Sequence, residues 1–292
     1  ALIQCAGTNA TFTVTAVGAN LSYQWRKNGT NISGANLASY TINNIAAGDA
    51  GNYSVVVSGG CGASVTSNNA LLTVNPLTAI TAQPGALIQC AGTNATFTVT
   101  AVGANLSYQW RKNGTNISGA NLASYTINNI AAGDAGNYSV VVTGTCGTVT
   151  SNNAALVVNP LTAITAQPVA LTQCAGTNAT FTVTAVGTSL TYQWRKDGTN
   201  ISGATSASYT INNIAAGDAG NYSVVVSGGC GANVTSNNAL LTVNPLTAIN
   251  VQPMALTQCA GTNATFTVTA VGANLSYQWR KNGTNITGAN AA

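Results

Sequence analysis

The chain of 292 residues has very little charge: Asp, Glu, Lys and Arg make up 4% of it, against roughly 25% in an ordinary soluble domain. Histidine and glutamate are absent, so the four acidic residues are isolated aspartates. Glycosidases need two carboxylates in one site, catalytic triads need a base beside the nucleophile, and calcium sites need several carboxylates. We therefore expect no enzymatic activity, no cofactor and no metal site.

Basic stripes and long apolar runs are also missing. The net charge of +4 comes from Arg–Lys pairs, such as Arg26–Lys27, that recur a whole repeat apart. Such spacing cannot form a nucleic-acid surface, and no run of 18 or more apolar residues forms a membrane segment. No signal peptide is visible either. Because the sequence opens on Ala1 and breaks off inside a repeated unit, we interpret it as a window on a longer chain.

What the chain does contain is a repeat. Residues 1–57 recur unchanged as 86–142, and cysteines recur at intervals of 84 or 85 residues. Self-similarity of this kind takes precedence over length in assigning domains. We predict four units: repeat 1 (1–75, its first strand missing), repeat 2 (76–159), repeat 3 (160–244) and the N-terminal part of repeat 4 (245–292).

Each unit carries one tryptophan in an alternating stretch, first seen as Leu21-Ser22-Tyr23-Gln24-Trp25. Alternation places Leu21, Tyr23 and Trp25 on one face of a strand. We predict that each tryptophan is the centre of one core: Trp25, Trp110, Trp194 and Trp279.

The rest of the unit has strand signals and no helical period. Ala10–Ala16 alternates, Asn28-Gly29 marks a hairpin, and a further strand is predicted over Val65–Val74. Short strands with frequent turns favour an all-β fold built of sandwiches. The short, proline-containing linker Asn75-Pro76-Leu77 predicts a stiff joint, and hence tandem sandwiches arranged as a rod.

Six of the seven cysteines form three pairs with a constant spacing of 56 residues, and the chain has neither CxxC nor histidine. This regularity favours disulfides over a metal site, and disulfides indicate an oxidising compartment. Buried free thiols in a cytosolic protein are the alternative. The predicted pairs are Cys5–Cys61, Cys90–Cys146 and Cys174–Cys230, with Cys259 pairing beyond Ala292.

The order Cys5, Gly7, Phe12, Val14, Trp25 and then Asp49-Ala-Gly-Asn-Tyr-Ser-Val55 resembles bacterial immunoglobulin-like repeats of large secreted and cell-surface proteins. The resemblance covers the whole chain and implies tandem immunoglobulin-like sandwiches. It places Trp25 in the core and Asp49 at the N-cap of a helical turn, and Val14 and Val55 replace the inter-sheet cystine of antibody domains. Cys5 would then join the first edge segment to the hairpin before the last strand. The corner tyrosines would be Tyr53, Tyr138 and Tyr222.

Asparagine sequons are dense, and two interpretations stay open. They are either chance products of a Thr/Asn/Ser-rich strand surface or acceptors of N-linked sugar. The candidate sites in repeat 1 are Asn9, Asn20, Asn28, Asn31 and Asn52. Tyr40 and its copies Tyr125 and Tyr209 are candidate sugar-binding rings. Because Tyr40 lies two residues before Ile42 and shares its inward face, the core is the favoured place for it.

Near-identical neighbours favour a structural role: an extracellular fibre or the stalk of a cell-surface adhesin, providing reach and stiffness. Identical patches at constant intervals also suit self-association with copies of the same chain. Two alternatives remain. One is an array that binds polysaccharide or a host surface, with surface glycans as partners; the other is a passive spacer for a catalytic domain outside this sequence.

Overall fold

The computed structural model describes residues 1–292 and consists almost entirely of β-strands and loops. Its helical residues are confined to three short 3-10 turns: Ala47–Asp49, Ala132–Asp134 and Ala216–Asp218. The predicted all-β fold of tandem immunoglobulin-like sandwiches is confirmed. Two compact units, Ala1–Val158 and Asn159–Ala292, are described separately below. The predicted boundaries of the four repeats stay a prediction.

Repeat 1, in the first unit, has eight strands. They are β1 (Leu2–Cys5), β2 (Ala10–Thr13), β3 (Ser22–Lys27), β4 (Thr30–Asn31), β5 (Ser39–Ile42), β6 (Gly51–Ser58), β7 (Val65–Thr66) and β8 (Ala70–Asn75). One sheet has the order β1-β8-β6-β3-β4, with β7 also paired to β6, and the second sheet pairs β2 with β5. Strand β1 runs parallel to β8, with Cys5 beside Asn75.

The core of repeat 1 lies under strand β3. Trp25 is opposite Val55 of β6, and the two side chains are 3% and 0% exposed. The indole Nε1 donates a hydrogen bond to the Leu37 carbonyl at 2.9 Å, which satisfies its buried polar atom. Phe12 stacks on Tyr53 with ring centroids 4.6 Å apart. The two sheets are thus joined by aromatic and aliphatic packing without a cystine.

Repeat 2 completes the first unit with ten strands. They are β9 (Ala79–Ala82), β10 (Leu87–Cys90), β11 (Ala95–Thr98), β12 (Thr100–Val102), β13 (Ser107–Lys112), β14 (Thr115–Asn116), β15 (Ser124–Ile127), β16 (Gly136–Gly144), β17 (Gly147–Thr150) and β18 (Ala154–Asn159). The additional strand pair is β9–β12, which is antiparallel and contains a bulge. Strand β9 follows directly on the junction Asn75–Thr78, and Trp110 is fully buried.

The second unit contains repeat 3, built like repeat 2. Its strands are β19 (Ala163–Ala166), β20 (Leu171–Cys174), β21 (Ala179–Thr182), β22 (Thr184–Val186), β23 (Thr191–Lys196), β24 (Thr199–Asn200), β25 (Ser208–Ile211), β26 (Gly220–Ser227), β27 (Val234–Thr235) and β28 (Ala239–Asn244). Trp194 is 0% exposed and lies opposite Val224. The three complete cores therefore share one arrangement.

Repeat 4 has only two isolated strand pairs. They are formed by β29 (Ala248–Val251) with β30 (Thr269–Val271), and by β31 (Arg280–Lys281) with β32 (Thr284–Asn285). Trp279 is only partly buried and Phe266 is 50% exposed. Within residues 245–292 no strand equivalent to β6 lies beside the indole, and the fourth tryptophan core stays a prediction.

Two predicted strands are shorter than the pattern suggested. The stretch Ala10–Ala16 is strand only to Thr13 in repeat 1, whereas repeat 2 continues as β12, where β9 supplies its partner. The predicted strand Val65–Val74 is divided into β7 and β8 at Ser67, whose hydroxyl accepts a hydrogen bond from the Val55 N–H. Alternation thus identified the strands, and the available hydrogen-bond partners decided their lengths.

Gly51 begins β6 with φ of 151°, and an added Cβ would lie 2.8 Å from Asn28 Oδ1. We expect Gly51→Ala to destabilise repeat 1 by about 1–3 kcal/mol, because the fixed Asn28 side chain must move. Calorimetry should show one shifted transition. Gly48→Ala is the control, since a Cβ there meets nothing within 4 Å. Equal effects of the two substitutions would contradict the steric explanation.

The cysteine junction as candidate functional site

The disulfide in the first unit joins two repeats. Cys5 of repeat 1 is bonded to Cys146 of repeat 2, with Cα atoms 5.6 Å apart and a sequence separation of 141. The predicted pair Cys5–Cys61 is therefore wrong. Constant spacing along the chain suggested pairing within a repeat, whereas Cys5 and Cys146 belong to successive repeats.

Strand direction explains why the predicted pair cannot form. In the sheet, Leu72 of β8 is paired with Gly51, the first residue of β6. From this pair β8 continues three residues to Asn75, which lies beside Cys5. The antiparallel β6 continues seven residues in the opposite direction, to Ser58. Ten strand residues span roughly 33 Å, whereas bonded cysteines have Cα atoms about 4.4–6.8 Å apart. Cys5 thus lies at the exit end of its sandwich, where β8 ends, and Cys61 lies at the opposite hairpin end.

The exit end of repeat 1 meets the hairpin end of repeat 2. Cys146 lies in the β16–β17 turn, and its Sγ is 3.9 Å from the Asn75 carbonyl oxygen. The linker residue Thr78 donates its N–H to the Cys146 carbonyl at 3.2 Å. The disulfide therefore closes directly over the linker between the two sandwiches.

Close packing at this junction requires glycine. A Cβ added at Gly144 would lie 2.5 Å from Thr78 Oγ1, and one added at Gly103 would lie 3.3 Å from the same atom. Thr78 itself is 6% exposed. The linker threonine is thus inserted against two glycines of the repeat that follows it.

The remaining cysteines fall into two classes. Cys90 and Cys230 are disulfide-bonded, whereas Cys61, Cys174 and Cys259 are free and exposed. The predicted pairs Cys90–Cys146 and Cys174–Cys230 are also wrong, because Cys146 is bonded to Cys5 and Cys174 is free.

The corner of repeat 1 is built around Tyr53, which is 2% exposed. Its hydroxyl donates to the Asp49 carbonyl at 2.7 Å. Asp49 ends the 3-10 turn and accepts the Ala46 N–H on Oδ2 at 2.8 Å. The predicted N-cap role of Asp49 is wrong, because its side chain reaches back from the third helical position. Lys27 Nζ donates to the Gly48 carbonyl of the same corner.

The side chains of the Tyr53 corner form hydrogen bonds that stabilise the fold. Asp49 is bound to backbone, and no group of three or more His, Cys, Asp or Glu side chains could hold a metal ion. None of the helices has the length and hydropathy needed to cross a bilayer. Tyr40 lies against the core, with its ring centroid 6.3 Å from those of Trp25 and Tyr53.

The five sequon asparagines of repeat 1 are exposed. Three of them accept hydrogen bonds on Oδ1: Asn9 from the Asn44 N–H, Asn28 from the Asn52 N–H and Asn31 from Arg26 Nε. These asparagines have turn-stabilising roles, and their glycosylation stays a prediction. Asn20 and Asn28 both lie in turns and adopt positive φ, a conformation that asparagine tolerates better than most residues.

A model of the PKD-like domain matches the chain three times, over residues 1–71, 75–157 and 158–240. Among solved structures, the I-band fragment I67-I69 from titin is similar, with 20% identity and a TM-score of 0.64, covering 83% of this chain and 95% of that one. The N-terminal eight Ig domains of Down Syndrome Cell Adhesion Molecule match with 18% identity and a TM-score of 0.55, covering 82% and 35%. No curated protein sequence matches the chain. The structural similarities show the immunoglobulin-like fold.

Burial, followed by the charge of Asp49 and the proximity of Tyr40, raises the pKa of Tyr53 to about 12. Burial, with neighbouring Asp134 and Asp218 respectively, raises the pKa values of Tyr138 and Tyr222 to about 12 as well. An unfolded tyrosine ionises near pH 10. Below about pH 10 these tyrosines are protonated in both the folded and the unfolded chain, so they do not change the free energy of unfolding. Between about pH 10 and 12 only the unfolded chain ionises, so the free energy of unfolding should fall as the pH rises.

Urea denaturation across this range, with tyrosinate absorbance recorded in parallel, measures the effect. Tyr53→Phe should remove the contribution of repeat 1 to the alkaline decline. Tyrosinate appearing before the sandwiches unfold, with its ordinary pKa, would contradict the burial argument.

Proposed function

Because the chain belongs to the PKD-like domain family, we propose that it is a structural segment of an extracellular fibre or of a surface-adhesin stalk. Tandem domains of this kind are typically non-catalytic structural modules. The observation that carries the proposal is the Cys5–Cys146 disulfide, which crosses the junction between two sandwiches. A covalent bond at this place carries a pulling force from repeat 1 to repeat 2 in addition to the linker.

The junction is held at three points. The disulfide joins the exit end of repeat 1 to the β16–β17 turn. Thr78 is hydrogen-bonded to Cys146 and packed against glycines, and β9 is paired with β12. Since Pro76 fixes φ in the short linker, few backbone torsions remain free. This combination favours stiffness over free rotation between repeats 1 and 2.

Disulfides persist in oxidising environments, which supports an extracellular location. The nearly uncharged surface carries the same residues in successive repeats, since residues 1–57 and 86–142 are identical. Identical patches at constant intervals favour association with other copies of the chain. Fibre formation through such contacts is part of the proposal.

Single-molecule stretching tests the load path. With pulling points at Ala1 and Leu161, the closed Cys5–Cys146 bond removes 141 residues from the extensible chain. Reduction, or Cys5→Ser, should lengthen the final extension by roughly 490 Å, at about 3.5 Å per residue. Cys61→Ser is the control, because Cys61 is free, and it should retain the short extension. Equal extension of wild type and Cys5→Ser would show that the junction is not covalently closed.

Electron microscopy tests the stalk role. An antibody against the purified chain should label fibres or projections on the producing cells, with a regular repeat along each fibre. Labelling confined to the cytoplasm, or to globular particles, would overturn the proposal.

A further inference from the structure

A two-residue hairpin loop follows the tryptophan strand of each complete repeat. In repeat 1 the loop is Asn28-Gly29, between the paired residues Lys27 and Thr30. Asn28 has φ of 49° and Gly29 has φ of 82°, the two positive values of a type I′ turn. Asn113-Gly114 of repeat 2 forms the same turn. Because glycine has no Cβ, its backbone nitrogen can approach the side chain of the preceding asparagine closely.

The side-chain amide of Asn28 is held in place by the neighbouring strand β6. Asn28 Oδ1 accepts the Asn52 N–H at 2.9 Å, and the Asn28 N–H donates to the Asn52 carbonyl at 2.8 Å. In repeat 2, Asn113 makes the same two bonds with Asn137. A backbone N–H on Oδ1 stabilises the negative charge that develops on that oxygen when a nucleophile attacks Cγ. The hydrogen bond therefore polarises the amide as well as fixing its position.

The nucleophile in such an attack is the backbone nitrogen of Gly29. Its bond to Asn28 Cγ closes a five-membered succinimide ring. Ring closure sets ψ of residue 28 at about −120°, the value at the first central position of a type II′ turn. That turn keeps positive φ at its first residue and has negative φ at its second, which glycine readily adopts. Since type I′ and type II′ turns both connect the strands of a two-residue hairpin, the ring can form without separating β3 from β4.

Repeat 3 has an aspartate at the same position. Asp197 stands before Gly198 and has φ of 48°. Its Oδ1 accepts the Asn221 N–H at 2.9 Å, just as Asn28 accepts the Asn52 N–H. An aspartate thus fits the turn with the same hydrogen bond. The isoaspartate isomer would add one atom to the main chain within the two-residue loop, so the fold favours aspartate as the product of ring opening.

We propose that Asn28 and Asn113 are self-modification sites, which convert to aspartate in the folded chain with water as the only co-reactant. The Gly29 nitrogen forms a bond to Asn28 Cγ and gives up its proton, the Cγ–Nδ2 bond breaks, and Nδ2 leaves as ammonia. Water then attacks Cγ, the bond from Cγ to the Gly29 nitrogen breaks, and that nitrogen regains a proton. Asparagine and water thus give aspartate and ammonium, with no oxidant or reductant.

The conversion changes the charge at one corner of a sandwich. Each event lowers the net charge of +4 by one unit. In repeat 3, a Cβ added at Gly220 would lie 2.7 Å from Asp197 Oδ2 and 3.0 Å from Lys196 Cε, so the carboxylate lies beside a lysine side chain. The new carboxylates of repeats 1 and 2 would lie beside the equivalent lysines. The modification therefore makes this corner of repeats 1 and 2 electrostatically like that of repeat 3.

Asn44 has a similar backbone conformation without an accessible nucleophile. Its φ is 52°, but the residue that follows is Ile45, which is branched and 1% exposed. The Ile45 N–H donates to the Thr8 carbonyl at 2.9 Å. This nitrogen is therefore engaged in the fold and shielded by its own side chain, which makes Asn44 a control within the same repeat.

The test uses the purified 292-residue chain, made in a host that does not glycosylate asparagine and carrying Asn282→Asp to remove the third Asn-Gly dipeptide. The chain is incubated at mildly alkaline pH, folded or in urea. Peptide mass spectrometry, with fragmentation that separates aspartate from isoaspartate, follows each site. We expect Asn28 and Asn113 to deamidate faster in the folded chain than in urea, and mainly to aspartate. Asn44 should stay unmodified in the folded chain.

Gly51→Ala separates the effect of the hydrogen bond from that of chain flexibility. The added Cβ would lie 2.8 Å from Asn28 Oδ1, so it should displace Oδ1 from the Asn52 N–H and slow deamidation of Asn28 at least about tenfold. Asn113 in the same molecule gives the reference rate. Gly48→Ala is the matched control, since a Cβ there meets nothing within 4 Å, and it should change neither rate. If flexibility governed the reaction, the destabilising Gly51→Ala would accelerate it instead.

Three results would overturn the inference: a faster reaction in urea than in the folded chain, isoaspartate as the main product in the folded chain, or an Asn28 rate that Gly51→Ala leaves equal or raises. The reaction takes place within single repeats and does not require fibre formation. Its failure would therefore leave the proposed structural function standing.

Discussion

The three complete sandwiches depend on an indole ring placed opposite the middle of the longest strand. Trp25, Trp110 and Trp194 lie beside Val55, Val140 and Val224 and are nearly or fully buried. Removing such a side chain typically costs about 3–5 kcal/mol, a large fraction of one domain's stability. Each indole N–H donates to a loop carbonyl, so the ring also fixes the path of the chain between β4 and β5 and its counterparts. The incomplete repeat 4 shows the converse, because its tryptophan is only partly buried where no such strand covers it.

Since this packing joins the sheets without a cystine, the cysteines are available for another role. Val55 stands where antibody domains carry a core cysteine, and it is fully buried. In the first unit the disulfide holds repeat 1 against repeat 2. The core of either repeat stabilises only that repeat. The disulfide therefore acts at the linker, which the hydrophobic cores of the two repeats do not hold in place.

The junction between repeats 1 and 2 also couples residues that lie far apart in the sequence. Thr78, the glycines that receive it and the cysteine turn belong to one fitted surface. A change in one part would leave a clash or a gap in another, because interiors pack to crystal-like density. The fitted surface thus constrains the linker and the hairpin turn together, although they are distant in sequence.

The amino-acid sequence by itself determined the all-β fold, because alternation, Asn-Gly turns and a tryptophan in each unit are local signals that require no knowledge of distant contacts. It also indicated that the cysteines form disulfides. Only the tertiary structure decided which cysteines pair, since the parallel run of β1 on β8 places Cys5 at the end of the sandwich opposite Cys61. The lengths of β2 and β8 were decided in the same way, by partners that come from elsewhere in the chain. The physical reason is that a strand's pattern specifies its faces, whereas its direction and neighbours specify which ends meet.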